Sequence, residues 1–169
     1  MKPYYEVIYG GLGTGKSTYA VSLLDIKNTF KLGVASPLAE ILFANFGGMK
    51  RHEKDNKRIN LPFKRTSLNS ICEDISKVRV KTLFIDDWYT FAISSLFKSP
   101  EYIHEKIDKI IDSINRNMHI RRVIIVSADP NFYFPLGGYK KTAIWNKRLF
   151  SLADRLTRVD FGVPILIKK

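Results

Sequence analysis

The sequence predicts an α/β fold: one domain, residues 1–169, with a mostly parallel five-stranded sheet and helices on both faces. Two observations lead to this prediction. Short apolar runs alternate along the chain with segments whose apolar residues recur at helical spacing. Alternating strands and helices need crossover connections, which make neighbouring strands parallel and cover both faces of the sheet. The chain has 169 residues, 45% of them hydrophobic, so it can bury a substantial core.

The individual elements are read from apolar periodicity. Short apolar runs predict strands at 4–9, 40–46, 81–86, 122–128 and 163–168. Helical spacing predicts helices at 16–30, 67–78, 101–118 and 143–157. The helix at 101–118 has the clearest stripe, formed by Ile103, Ile107, Ile110, Ile111, Ile114 and Met118.

Composition restricts the class of protein. Cys72 is the only cysteine, so no intramolecular disulfide can form, and no Cys/His spacing typical of a metal site is present. No stretch approaches 18 apolar residues and the first residues contain no apolar signal core, so we expect no membrane insertion. These features favour a cytoplasmic location, in the host cytoplasm if the source is a virus.

The charge is strongly positive. The chain has 28 Lys and Arg against 16 Asp and Glu, a formal net charge of +12. Such an excess predicts a polyanionic partner, and nucleic acid before a membrane surface. The alternative is a lysine-rich surface of the kind common in thermophiles.

A glycine-rich segment lies between the first predicted strand and the first predicted helix. Gly10, Gly15, Lys16 and Ser17 match the P-loop pattern G-x-x-x-x-G-K-[ST]. Its glycines let backbone N–H groups approach a phosphate, its lysine neutralises the β and γ phosphates, and its serine binds Mg²⁺. We therefore predict ATP and Mg²⁺ as cofactors. The nucleotide would be bound by Gly10, Gly11, Leu12, Gly13, Thr14, Gly15, Lys16, Ser17 and Thr18. The alternative is a glycine-rich turn with a chance lysine.

Two carboxylates follow the strand at 81–86. In LFIDDW, Asp86 is the expected metal-side acid, as in a Walker B motif. Asp87 would polarise the attacking water, or else it only caps the next turn. Ligands of open parallel sheets bind at the carboxyl ends of strands, so the glycine-rich segment and these acids are expected to converge.

A polar residue also ends the strand at 122–128. Ser127 is the first polar residue after VIIV, and its hydroxyl would contact the γ-phosphate or position water. Asp129 and Asn131 compete for that role. The alternative is the simple start of a loop before Pro130.

Taken together, these motifs resemble the additional-strand, catalytic-acid division of P-loop ATPases. Two branches are similar: AAA+ initiators and helicase loaders of the DnaA and DnaC kind, and the FtsK–HerA and Zot-like ATPases of viruses and plasmids. The resemblance implies ATP hydrolysis in a ring of identical subunits, possibly a hexamer. It also implies an arginine that completes a neighbour's site. Arg155 is the first candidate, with Arg148 on the same face of the predicted last helix and Arg158 after it. Ordinary surface charge is the alternative.

Two segments are candidate DNA contacts. Residues 47–65 form a basic insertion or loop, and 131–141 combine aromatic residues with lysines. Aromatic rings stack on bases and lysines neutralise phosphates without reading sequence. The expected contacts are Lys50, Arg51, Lys57, Arg58, Tyr133, Tyr139, Lys140 and Lys141.

Three functions fit these motifs. The first is an ATPase that handles DNA, in translocation, packaging or replication-helicase loading. The second is a small-molecule or nucleotide kinase with the same P-loop, and the third is a nucleotide-gated switch with negligible turnover. Stimulation of ATP hydrolysis by DNA would favour the first, and phosphate transfer to a small acceptor the second.

Overall fold

A computed structural model describes residues 1–11, 13–42, 60–129 and 139–169 of the chain. These residues form seven strands and six α-helices. The strands are β1 (Tyr4–Gly10), β2 (Thr29–Val34), β3 (Phe63–Thr66), β4 (Thr82–Asp86), β5 (Arg122–Ala128), β6 (Arg155–Asp160) and β7 (Val163–Lys168). The helices are α1 (Lys16–Ser22), α2 (Pro37–Leu42), α3 (Ile71–Ser76), α4 (Tyr89–Ser94), α5 (Pro100–Arg116) and α6 (Tyr139–Leu152).

The strands form one mostly parallel sheet in the order β3-β2-β4-β5-β1-β6-β7. Among the strands that the structure describes, only β7 is antiparallel, and it pairs with β6 at the edge of the sheet. β1 is central and pairs in parallel with β5 over its whole length, from Tyr4 opposite Arg122 to Gly10 opposite Ala128. β5 therefore lies between β1 and β4, and the carboxyl ends of these three strands share one edge of the sheet.

The predicted α/β class with a mostly parallel sheet is confirmed, but the count of five strands is wrong. The strands predicted at 4–9, 81–86, 122–128 and 163–168 are present. The strand predicted at 40–46 is wrong in its first residues, which belong to α2; residues 43–46 lie outside the described residues. Proline occupies the first position of α2 and the Ser36 hydroxyl accepts a hydrogen bond from the N–H of Ala39 at 3.4 Å, so this segment starts as a helix.

Sequence periodicity missed β2 because the first helix was predicted to reach residue 30. α1 ends at Ser22. Asp25 then begins a 3₁₀ turn, and its carbonyl accepts from the N–H of Asn28 at 3.0 Å and from the Thr29 hydroxyl at 2.6 Å. These bonds end the helical path and direct residues 29–34 into the sheet.

β6 was missed for a similar reason, since the last helix was predicted to extend to residue 157. α6 ends at Leu152. Asp154 then pairs with β1: its N–H donates to the Tyr5 carbonyl at 2.9 Å, and its carboxylate accepts from the Tyr5 N–H at 2.8 Å. This contact turns the chain, so the residues from Arg155 onward join the sheet instead of the helix.

The long helix is confirmed as α5, capped by the Ser99 hydroxyl, which accepts from the N–H of Tyr102 at 3.2 Å. Its buried stripe ends at Ile114. Met118 lies beyond the helix and is 79% exposed, so its place in the predicted stripe is wrong. The helix predicted at 67–78 is shorter, since α3 covers residues 71–76.

Apolar cores lie on both faces of the sheet, except at the edge strand β7, which is exposed on both faces. The larger core packs α3, α4, α5 and α6 on one face, around Trp88 and Trp145, whose rings meet edge to face at 5.3 Å. The smaller core packs α1 on the other face, where Ala20 lies among Ile8 and Phe84. In the described part of the chain, no helix combines the length and the apolar character that crossing a bilayer requires.

Asp74 of α3 holds the edge strand β3 in place. Its buried carboxylate accepts from the Thr66 hydroxyl at 2.7 Å and from the Lys64 ammonium at 2.5 Å. Burial alone would raise the pKa of Asp74, but these hydrogen bonds and the lysine charge outweigh it, so the pKa lies below its ordinary value. The charged carboxylate therefore stabilises the fold above the aspartate pKa of an unfolded chain, about 3.9.

We predict that Asp74→Asn lowers the free energy of unfolding by about 1–3 kcal/mol at pH 7, because two hydrogen bonds lose their charged acceptor. The difference from wild type should shrink as the pH falls below about 3.9 and the folded carboxyl becomes protonated. Urea unfolding between pH 3 and 7 measures both. Asp112→Asn is the control, since its carboxylate is exposed and 3.9 Å from Arg116. A difference that does not change with pH would contradict the role of the carboxylate charge.

Candidate functional site

The glycine-rich loop (residues 10–17) connects β1 to α1 at the carboxyl edge of the sheet. Gly15 has a left-handed backbone with φ of 89° and is the N-cap of α1. Gly10 packs against β6. A Cβ at this position would lie 2.3 Å from the Val159 carbonyl oxygen, a distance too short for any side chain. Glycine is therefore required at both ends of the loop, by backbone conformation at one and by close packing at the other.

Hydrogen bonds inside the glycine-rich loop converge on one carbonyl. The Gly11 oxygen accepts from the Lys16 ammonium at 2.7 Å and from the Thr14 hydroxyl at 3.0 Å. Lys16 is only 8% exposed, so its charge lies within the loop and not in bulk solvent. Thr18 is exposed on α1, and Leu12 lies outside the described residues.

The sheet brings Ser17 and Asp86 together, as the sequence predicted. Asp86 ends β4, and its Oδ1 lies 3.5 Å from the Ser17 hydroxyl at the start of α1. The Asp86 side chain is 1% exposed. A hydroxyl and a carboxylate are the hard oxygen donors that Mg²⁺ prefers, and Mg²⁺ usually keeps several waters and phosphate oxygens besides one or two protein ligands. This donor set fits Mg²⁺. Among the described residues, no group of three or more His, Cys, Asp or Glu side chains could hold a metal.

Lys31 is a site residue that the sequence analysis did not find. It lies on β2, is almost fully buried, and its ammonium is 2.7 Å from Oδ2 of Asp86. The ammonium also lies 5.1 Å from the ring centre of Phe84 and 6.0 Å from that of Phe63, within cation–π range. The two oxygens of Asp86 therefore have different neighbours, a serine hydroxyl and a lysine. The missed signal is a lysine flanked by apolar residues in TFKLGV, which becomes visible only when that segment is recognised as a strand.

Asp87 adopts the capping geometry that was its alternative role. Its carboxylate accepts from the N–H of Tyr89 at 3.0 Å at the start of α4. Burial raises the pKa of the Tyr89 hydroxyl, and the Asp87 charge raises it further, so this tyrosine stays neutral over the physiological range. The bond to Tyr89 fixes the orientation of the Asp87 carboxylate beside Asp86.

Ser127 is fully buried and lies on the opposite face of the sheet from Asp86. Side chains alternate along a strand, and Ser127 shares the face of Val123 and Ile125, which packs against α6. Its hydroxyl donates to Oδ1 of Asn146 at 2.7 Å, and the Asn146 amide donates to the Ala128 carbonyl at 2.9 Å. Asn146, also missed by the sequence analysis, thus attaches α6 to the carboxyl end of β5. A γ-phosphate contact by Ser127 stays a prediction.

Arg155 does not lie on the last helix, which corrects the structural basis of its predicted role. It begins β6 and pairs with Glu6, with its Nε 3.6 Å from a buried carboxylate that also binds Arg122. This position is at the amino edge of the sheet, away from the glycine-rich loop. Arg148 lies on α6 and pairs with Asp108 at 2.9 Å. Arg158, near the carboxyl end of β6, pairs with Asp160 at 3.0 Å.

The turn between β6 and β7 touches the glycine-rich loop. The N–H of Gly162 donates to the Thr14 carbonyl at 2.8 Å, and a Cβ on Gly15 would lie 3.3 Å from the Gly162 Cα. Phe161, the neighbour of Gly162, is 98% exposed. The edge hairpin is therefore part of the wall of the site.

Most of the predicted DNA contacts lie outside the described residues: Lys50, Arg51, Lys57, Arg58 and Tyr133. Tyr139 is the first residue of α6, followed by an exposed Lys140. The Lys141 ammonium donates to the Lys98 carbonyl, which links the start of α6 to the segment after α4.

A basic cleft occupies the other edge of the sheet. It has a volume of about 320 Å³ and is lined by Asn28, Arg79, Val80, Lys81, Met118, His119 and Arg121. Several of these residues immediately precede β2, β4 and β5, so the cleft lies at the amino ends of strands whose carboxyl ends face the glycine-rich loop. None of the described residues that line it is acidic. Within the part of the chain that the structure describes, Arg79, Lys81 and Arg121 form no ion pair.

Comparisons with known proteins add no family to this geometry. No protein-family model matches the chain, and no curated protein matches it significantly. The features that indicate function are therefore those of the site itself: a glycine-rich loop with a buried lysine, and a hydroxyl and a carboxylate at the same edge of the sheet.

We predict that Lys31 and Asp86 are strongly coupled. Lys31→Met or Asp86→Asn alone should lower the free energy of unfolding by about 3 kcal/mol, because each leaves a buried charge without its partner. The double variant should be more stable than the sum of the two effects by more than about 1 kcal/mol. Urea unfolding of all four proteins measures this coupling. The exposed pair Arg148 and Asp108 is the matched control and should couple by less than about 1 kcal/mol. Additive effects at Lys31 and Asp86 would mean that the pair does not form in solution.

Proposed function

We propose that this protein hydrolyses ATP with Mg²⁺ and couples the hydrolysis to DNA handling, as a P-loop ATPase of the additional-strand, catalytic-acid division working in a ring oligomer. The observation that carries the proposal is the meeting of Lys16, Ser17 and Asp86 at one edge of the sheet, with Ser17 and Asp86 3.5 Å apart. These three residue types at these positions are what a bound nucleoside triphosphate and its metal require.

Each residue of the site has its own role in the proposed reaction. The glycine-rich loop would surround the phosphates, and the Lys16 ammonium would exchange the Gly11 carbonyl for phosphate oxygens. Ser17 and Asp86 would hold Mg²⁺, which supplies neutralisation of the phosphate charge when bound. Lys31 holds the second oxygen of Asp86 and so keeps Oδ1 directed towards Ser17. Asp87 would orient the attacking water.

The position of β5 supports the proposed division. β5 separates β1, which precedes the glycine-rich loop, from β4, which ends in the two acids. That extra strand is the feature for which the division is named. Translocation, packaging and helicase loading, and the AAA+ and FtsK–HerA or Zot-like branches, are all compatible with this geometry.

The ATPase proposal predicts different effects for two substitutions. Lys16→Ala should abolish ATP binding and turnover, since the phosphates lose their buried cation. Asp87→Asn should still bind ATP but hydrolyse it about 10²- to 10⁴-fold more slowly, since water activation is lost. Binding by calorimetry and phosphate release with Mg²⁺ test both, and Lys27→Ala, an exposed lysine at the amino edge, is the control.

Three results would oppose these assignments. Normal turnover in Lys16→Ala contradicts the ATPase proposal. Normal turnover in Asp87→Asn leaves Asp87 with the capping role alone. Transfer of the phosphate to a small acceptor instead of water would favour a kinase.

The DNA part of the proposal gains support from the basic cleft. Exposed cations that form no ion pair with the described residues and surround a cavity suit a phosphate backbone, which binds chiefly by releasing counterions. The cleft lies on the edge of the sheet opposite the nucleotide site, roughly 20 Å away by the length of β5. DNA bound there would not compete with ATP.

We predict that replacing Arg79, Lys81 and Arg121 by Ala weakens DNA binding and reduces its salt dependence. Each lost phosphate contact should lower the slope of log affinity against log salt by about 0.9 on duplex DNA. Replacing Lys98, Lys147 and Lys169, which are exposed elsewhere, removes the same charge and is the control. Fluorescence anisotropy at several salt concentrations measures the slopes. Equal slopes in the two triple variants would mean that DNA binding depends on the net charge of the protein and not on the cleft.

A further inference from the structure

Phe161, in the turn between β6 and β7, combines two unfavourable features. Its side chain is 98% exposed, which leaves a large apolar surface in water. Its backbone has φ of 48°, a left-handed conformation that bulky residues rarely adopt and that the neighbouring Gly162, at 82°, adopts without cost. Asparagine, aspartate or glycine would suit this turn better. A bulky aromatic residue that is both exposed and strained points to a role outside folding.

The position of the turn indicates what that role is. The Gly162 N–H donates to the Thr14 carbonyl inside the glycine-rich loop at 2.8 Å, so the backbone next to Phe161 is joined to the loop. The close approach of Gly15 to the Gly162 Cα holds the two segments together at a second point. Whatever binds in the loop therefore has Phe161 as a close neighbour.

We infer that Phe161 is a stacking platform for the base of the nucleotide whose phosphates the glycine-rich loop binds. This inference rests on the proposed function and adds a base-binding subsite to it. A nucleobase is joined to its phosphates by one ribose, so it must settle near the loop, where the turn lies. The flat π face of the base matches an exposed phenyl ring, and such stacking tolerates any base.

The subsite predicts a specific dependence on the base. Phe161→Ala and Phe161→Asn should bind ATP about 5- to 100-fold more weakly than wild type. Inorganic tripolyphosphate has no base, so its affinity should stay unchanged in both variants. Asparagine suits the left-handed backbone, so Phe161→Asn should unfold at the same temperature as wild type or higher, which separates loss of stacking from loss of structure.

The experiment is calorimetric binding of ATP and of tripolyphosphate, each with Mg²⁺, to wild type, both Phe161 variants and Phe97→Ala. Phe97 is the matched control, since it is 81% exposed and lies after α4. Sedimentation of the same proteins tests the competing explanation, that Phe161 contacts a second copy of the chain.

The outcomes are distinct. Weaker ATP binding with unchanged tripolyphosphate binding, in the Phe161 variants alone, supports the subsite. If the affinities for ATP and tripolyphosphate fall equally, Phe161 only shapes the loop. If the affinity for ATP is unchanged, the base lies elsewhere, whether or not the oligomeric state changes. Each of these results overturns the inference. If wild type binds neither ligand, the proposed function itself fails.

Discussion

The buried ion pair between Lys31 and Asp86 is the interaction on which the site depends. A carboxylate at the end of a central strand is costly to bury unless a partner compensates its charge, and the lysine on the adjacent strand is that partner. The pair engages one carboxylate oxygen and leaves the other directed towards Ser17. Under the proposed function, an acid buried in this way would not need to rotate from solvent when a metal arrives.

The sheet order explains why such a pair is possible. β4 lies between β2 and β5, so Asp86 has a neighbour on each side, and Lys31 and Phe84 are register partners. Phe63 from β3 packs over Gly33, where a Cβ would be 2.3 Å from its ring, and thereby covers the lysine. The edge strand β3, held by Asp74, therefore contributes to the site through the cover it provides, although none of its side chains reaches the glycine-rich loop in the described contacts.

Sequence reasoning succeeded where the signal is local and failed where a distant contact decides. The strand and helix on either side of the glycine-rich segment, and the apolar strands that end near Asp86 and Ser127, follow from short patterns and are present where predicted. Arg155 illustrates the failure. Its segment has helical periodicity, but one backbone hydrogen bond and one carboxylate hydrogen bond between Asp154 and Tyr5, 149 positions apart, turn the chain into a strand. Lys31 was missed because a lysine within a short apolar segment is normally taken to be exposed. Its burial becomes understandable only when its partner on the next strand, Asp86, is known. The segments 47–65 and 131–141 lie largely outside the described residues, so the DNA contacts placed there stay predictions.

The hydrogen bond between Gly162 and Thr14 affects when, during synthesis, the walls of the glycine-rich loop become complete. The glycine-rich loop is synthesised before the strand that packs on Gly10 and before the turn that holds Thr14, and both lie far along the chain from it. A nascent chain can therefore form β1 and α1 early but cannot complete the walls of the loop until residues 155–162 emerge. Under the proposed function, nucleotide affinity would then arise only after β6 and the turn that follows it have emerged.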